Sequence, residues 1–216
     1  VSPTCPAARE NQAPIPDPYA DVPEPAIEGP CESWKALTKG SPHAAQIISP
    51  TNFHSSGVLS MRFCGQDIKM QQTIHFNPGI YILDGVNMSV NANAFVKGSD
   101  VMFYLANGAS LSINGSGTLN LSAMTSGEWA PILFYVSRSS LGHSHKLNGN
   151  SGSSFEGVIY IPNGELSYSG GAGLIGACTQ VIANTITFTG NSDFQSDCTD
   201  FPFKEISAAS LIQLVD

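Results

Sequence analysis

Ser110-Leu111-Ser112-Ile113-Asn114-Gly115-Ser116-Gly117-Thr118-Leu119 joins a short β-type run, a step of Asn, Gly and Ser, and a second β-type run. The phrase recurs as Lys146-Leu147-Asn148-Gly149-Asn150-Ser151-Gly152-Ser153-Ser154-Phe155 and as Ile186-Thr187-Phe188-Thr189-Gly190-Asn191-Ser192-Asp193-Phe194. Val90-Asn91-Ala92-Asn93-Ala94-Phe95-Val96 is a weaker fourth copy. Each copy alternates apolar and small polar residues with period two, which on a strand points one side chain inward and the next outward. The Gly/Asn/Ser step supplies the tight or left-handed backbone that a corner needs. Strand–corner–strand units that cannot bury their own apolar row predict a solenoid.

The runs between these copies agree. Val101-Met102-Phe103-Tyr104-Leu105, Ile132-Leu133-Phe134-Tyr135-Val136, Val158-Ile159-Tyr160-Ile161 and Gln180-Val181-Ile182-Ala183 are almost continuously apolar. Such runs between turn residues describe strands covered on both faces. The spacing of the copies is irregular, so the coils carry insertions. Ser122 to Trp129 and Ser137 to His145 are the expected loops, flanking the strand at Ile132. Ser33 to Thr38 reads as a short helix, and Ile206 to Val215 as a short helix or a closing strand. The expected core rows include Ile113, Leu119, Leu133, Ile159, Ile182 and Phe188.

Residues 1–30 differ in kind. Pro14, Pro16, Pro18, Pro23, Pro25 and Pro30 forbid helix and sheet interior and favour extended chain. Ile15, Tyr19, Val22 and Ile27 are placed to pin this segment along the body. The expected architecture is all-β: a right-handed parallel β-helix over residues 31–216 with irregular loops, and a proline-rich strap over 1–30. The chain opens on Val1 without a signal-like run, which reads as a processed or excised piece with any export signal or anchor upstream.

Composition narrows the function. Charged residues make up 12% of the 216 residues, about half the usual share, so polarity comes from Ser, Thr, Asn and Gln, which suit strands and turns. A net charge of −8 with nine scattered basic residues argues against nucleic acid. Five cysteines in a low-charge, glycine-rich β protein fit an oxidising compartment. Cys178 and Cys198 bracket the third copy of the phrase and are expected to be bridged, and Cys31 and Cys64 form the other plausible pair. Cys5 is left over, either as a free thiol or with a partner upstream.

Catalytic chemistry finds little support. Glycoside cleavage needs two carboxylates roughly 5–10 Å apart, whereas the acidic residues beyond the strap are sparse and none share a strand face at i, i+2. Asp84 and Asp100 sit at corners, as turn residues do. Asp193, Asp197 and Asp200 cluster near Cys198, where solvated turn carboxylates are favoured over a cation site. His143 and His145 alternate, which on one strand would turn both to the same side; a hydrogen-bonded or exposed loop pair is the favoured reading. His75 reads as a core-edge histidine. Gly149-Asn150-Ser151-Gly152-Ser153 lacks the last glycine of a nucleophile elbow. Thr185, Thr187 and Thr189 express ordinary β propensity. No catalytic residue, metal site or cofactor is expected. Among the aromatics, Tyr135 and Tyr160 read as wall packing, while Trp129 and Tyr168 are the candidate contacts for a partner or a glycan.

Several segments, in order, resemble the carboxy-terminal region of the TadE/TadG-like pilus-assembly proteins of the bacterial tight-adherence (Flp) system. They are Asp17-Pro18-Tyr19-Ala20, Phe63-Cys64-Gly65, Asn77-Pro78-Gly79-Ile80-Tyr81-Ile82-Leu83-Asp84-Gly85, Val101 to Leu105, Gly157-Val158-Ile159-Tyr160-Ile161-Pro162-Asn163-Gly164 and Cys178 to Ala183, followed by Gly190-Asn191-Ser192. The resemblance spans roughly residues 14–195. It implies an upstream transmembrane helix and a region outside the cytoplasm, in the periplasm or on the cell surface. It also implies a non-enzymatic structural role through contact with other pilus-assembly or pilin proteins. Some relatives carry a von Willebrand-type metal motif, Asp-x-Ser-x-Ser, which this chain lacks. A surface adhesin or glycan-binding module is the alternative, and a polysaccharide-active enzyme the weaker one.

Overall fold

The computed structural model describes residues 15–39, 44–114, 117–148, 152–169, 178–189, 198 and 201–206. Cys5, Asp193, Asp197, Asp200, the Gly149–Ser151 step and the tail beyond Ile206 lie outside the described residues.

The chain enters through β1 (Cys31–Glu32), α1 (Trp34–Leu37), β2 (Gln46–Ile48) and β3 (Asn52–Phe53). Successive coils follow. One is β4 (Leu59–Cys64), β5 (Ile68–Met70) and β6 (Thr73–Phe76); the next is β7 (Gly79–Asp84), β8 (Met88–Val90) and β9 (Phe95–Gly98). Then come β10 (Val101–Ala106), β11 (Leu111–Ile113) and β12 (Thr118–Ser122), and after them β13 (Ile132–Val136) and β14 (Ser144–Asn148). β15 (Ser154–Ser169) and β16 (Thr179–Thr189) are long strands that turn corners.

The pairings stack these strands into three parallel walls. The first runs β1-β4-β7-β10-β13-β15-β16, the second β5-β8-β11-β14-β15-β16 and the third β2-β6-β9-β12-β15. β3, antiparallel to β4, is the one exception among the described strands. The expected parallel β-solenoid is what forms. The phrase picked out in the sequence is a single corner, between the second and third walls, repeated from coil to coil: Leu111–Ile113 to Thr118, Ser144–Asn148 to Ser154, and Met88–Val90 to Phe95. The insertions fall where expected, between β12 and β13 and between β13 and β14.

Alternation builds two cores. Inward from the first wall, Phe103 lies between Tyr81 and Phe134, each ring pair stacked at 5.4 Å. Outward from the same strands, Tyr104, Tyr135 and Tyr160 form a second ladder, with neighbouring rings 5.6 and 5.0 Å apart. These outward residues are buried against Tyr19, Val22 and Trp129. That second layer explains why β7, β10 and β13 read as unbroken apolar runs, while β8, β11 and β14 alternate. Gly157 marks how tightly the loop before β13 seats: a Cβ there would stand 2.7 Å from the Pro131 carbonyl, at φ +129°.

Two core expectations need correction. Ile182 points outward into the strap layer. Phe188 belongs to the last described coil and is 53% exposed, because no further described coil covers it. Disulfides Cys31–Cys64 and Cys178–Cys198 tie the two ends, as expected.

Candidate functional site

The strap crosses the outside of the first wall, and its composition dictates how it is held. Proline has no N–H, so a proline-rich segment can offer little but acceptors. The wall and its loops supply the donors. Trp129 Nε1 donates to the Pro23 carbonyl at 2.8 Å and the Tyr135 hydroxyl to the Val22 carbonyl at 3.2 Å. Arg138 donates to the carbonyls of Tyr19 and Val22 at 2.8 and 3.0 Å, and its Nε to the Tyr160 hydroxyl at 3.1 Å. Two strap carboxylates complete the latch. Asp17 accepts from the Tyr160 hydroxyl at 2.6 Å. Glu24 accepts from the Tyr104 and Ser137 hydroxyls at 2.7 and 2.8 Å and from the Arg138 backbone N–H at 2.7 Å.

The electrostatics follow from this arrangement. Burial works against the Glu24 carboxylate, yet the donors from Tyr104, Arg138 and Ser137 hold it below the usual range. Burial first, and the facing carboxylate second, push the phenols of Tyr104 and Tyr160 up. Of the four strap residues expected as pins, Tyr19 and Val22 are buried, whereas Ile15 and Ile27 are 61% and 38% exposed.

Both aromatic candidates are buried. Trp129 does lie in a loop, but that loop sits beneath the strap, edge-on to His54 at 5.2 Å. Tyr168 points into the solenoid from the second wall, and burial pushes its phenol up to about 12. Neither presents a stacking surface. The histidines also depart from expectation. β14 begins at Ser144, so His143 stands exposed at the corner while His145 enters the core; they do not share a side. His145 Nδ1 accepts from the Leu111 backbone N–H at 3.2 Å, and Nε2 has no partner among the described residues. His75 faces outward beside Lys97 on the third wall. Partial burial and then that lysine hold its pKa down. Asp84 and Asp100 are corner residues as expected, with Asp84 paired to Arg62 and accepting from Asn107. No group of three or more His, Cys, Asp or Glu is placed to hold a metal among the described residues.

The two ends of the solenoid differ. At the first, Trp34 on α1 lies over the core, edge-on to Phe63 at 5.8 Å, with Nε1 donating to the Lys69 carbonyl. The Ser33 side chain caps this short helix. At the other end lies β16, which pairs with β15 on one side and with no other described strand. Its first-wall half is partly covered. Gln180 donates to the Lys204 carbonyl at 3.1 Å, and Phe201 packs on the inner core. Its second-wall half, Thr185–Thr189, is exposed along its length. Beside it opens an apolar groove of about 550 Å³ lined by Ile15, Pro18, Pro162, Ile182, Ile186 and Ile206. Nothing in the sequence besides the pattern of the last copy pointed to this surface.

No helix among the described residues is long and apolar enough to cross a membrane. No curated protein and no solved structure matches the chain. One family does match, over residues 66–199, which begin at the corner before β5 and take in every later described coil. On that match the chain belongs to the family described as Domain of unknown function (DUF7305).

Proposed function

We propose that this disulfide-tied β-solenoid is an extracytoplasmic contact module, the carboxy-terminal region of a membrane-anchored pilus-assembly protein of the tight-adherence type. The observation that carries the reading is the asymmetry of the ends: a Trp34 cap at one, and at the other an exposed strand edge beside an apolar groove. Solenoids ordinarily close both ends with polar caps, and an exposed edge is a template for another chain. Disulfides at both ends suit an oxidising compartment. Asp17 and Glu24 are both spent on holding the strap, which supports a structural use. The adhesin alternative loses the two aromatics that recommended it.

The test is electron microscopy of pili on cells lacking this region, alongside a surface-attachment assay. Loss of pili is the expected result. Normal pili with lost attachment would replace the assembly role with the adhesin, and normal pili with normal attachment would remove both.

A further inference from the structure

We propose that the exposed half of β16, Thr185–Thr189, pairs with the same strand of a second copy of this chain across a twofold axis. The inference rests on the reading of this end as the contact surface, and names what it contacts.

Three observations converge on a second copy. First, the edge lacks the usual guards among the described residues. Natural sheets protect exposed edges with lysines, prolines or bulges, but Thr179–Thr189 contains no charged residue and no proline. On a chain of net charge −8, a neutral stretch lets two copies approach without repulsion between its own side chains.

Second, the sequence is complementary to itself. An antiparallel pairing centred on Thr187 sets Thr185 opposite Thr189, Ile186 opposite Phe188, and Thr187 opposite its own copy. Thr–Thr and aromatic–β-branched pairs are among the favourable cross-strand combinations.

Third, the inward column of the core ends partly exposed there among the described residues. The inward column Val90, Ile113, Leu147, Tyr168 runs on into Phe188. The first four are buried, while Phe188 and its neighbour Ile186 are 53% and 37% exposed. A second copy would cover both. The Trp34 cap blocks head-to-tail stacking, so the pairing closes as a dimer and does not propagate as a fibre.

Sedimentation velocity on the 216-residue chain, over a concentration series, tests this; Cys5→Ser removes any dimer linked through that thiol. A concentration-dependent dimer is expected. Ile186→Lys and Thr187→Lys, which bring like charges together at the axis, should each return it to monomer mass without changing circular dichroism or the melting profile. Ile47→Lys, on the third wall at a residue 65% exposed, should leave the dimer intact. Monomer at every concentration overturns the inference, as does a dimer indifferent to Thr187→Lys. Slow hydrogen exchange at Thr185–Thr189 in a monomer overturns it by showing that the chain covers its own edge. A monomer whose deletion still abolishes pili removes self-pairing and leaves the contact module standing.

Discussion

The Arg138 backbone N–H donates to Glu24 Oε1 at 2.7 Å, while the guanidinium of the same arginine lies 5.3 Å from the centre of the Tyr160 ring. One residue on the β13–β14 loop thus grips the strap by its backbone and its side chain, and the tyrosine ladder by the same guanidinium. The strap is a fastened layer of the fold, and the fastening is mostly polar.

Glu24→Gln tests that fastening. The carboxylate accepts three hydrogen bonds, and a neutral amide would keep some of them weakly, so a loss of about 1–3 kcal/mol in unfolding free energy is expected. Limited proteolysis should cut within 15–30 sooner than in the parent. The folded-state pKa of Glu24 lies below its ordinary value of 4.5. Its stabilisation is therefore present above pH 4.5 and lost as pH falls through the lower folded value. Denaturant melts in that acid range should show a shallower loss for Glu24→Gln than for the parent.

Trp129→Ala removes both a large buried ring and the donor to Pro23. A cost of about 3–5 kcal/mol is expected, read as a lower denaturation midpoint. An unchanged midpoint would mean that the strap does not cover this loop in solution.

Among the described residues, His145 is the one buried imidazole on the second wall. Burial, and then nearby His143, hold its pKa down to about 4 from 6.5. The folded state therefore favours neutral His145, and stability should fall as pH drops from 6.5 towards 4, by about 3 kcal/mol in all. His145→Leu should abolish that slope. At neutral pH the substitution is expected to be nearly neutral, since it removes the unpartnered Nε2 but also the acceptor of the Leu111 N–H.

Cys31→Ser with Cys64→Ser opens a link that spans 33 residues and anchors β1 on β4. A loss of about 2–4 kcal/mol is expected by chemical denaturation. Hydrogen exchange should rise first in β1 and at the ends of β4 and spare β10.

Particular residues show what was legible in the sequence. The alternation around Asn114 and Asn148 declared strands and a repeated corner, and the unbroken Val101–Leu105 run declared a strand covered on both faces. Both signals are local, and local periodicity survives into the fold. The latch is not local. Glu24 meets Arg138 across 114 residues, and no pattern within either neighbourhood names the other. Trp129 shows the same limit from the other side: its Gly/Ser surroundings correctly said loop, but only the strap overhead decides that the ring is buried. The alternation of His143 and His145 failed as a guide because the strand begins between them. Phe188 read as core because its own strand has the core pattern; its exposure depends on the absence of a further described coil.

Pili on cells whose own copy of this gene carries Thr187→Lys, counted by electron microscopy, bear on the function of the exposed end with the least intervening inference. The substitution leaves the strap, the disulfides and both cores untouched. We expect the protein at normal levels and the pili lost, with Ile47→Lys cells piliated as before. Normal pili in the Thr187→Lys cells would contradict an assembly role for this end of the solenoid.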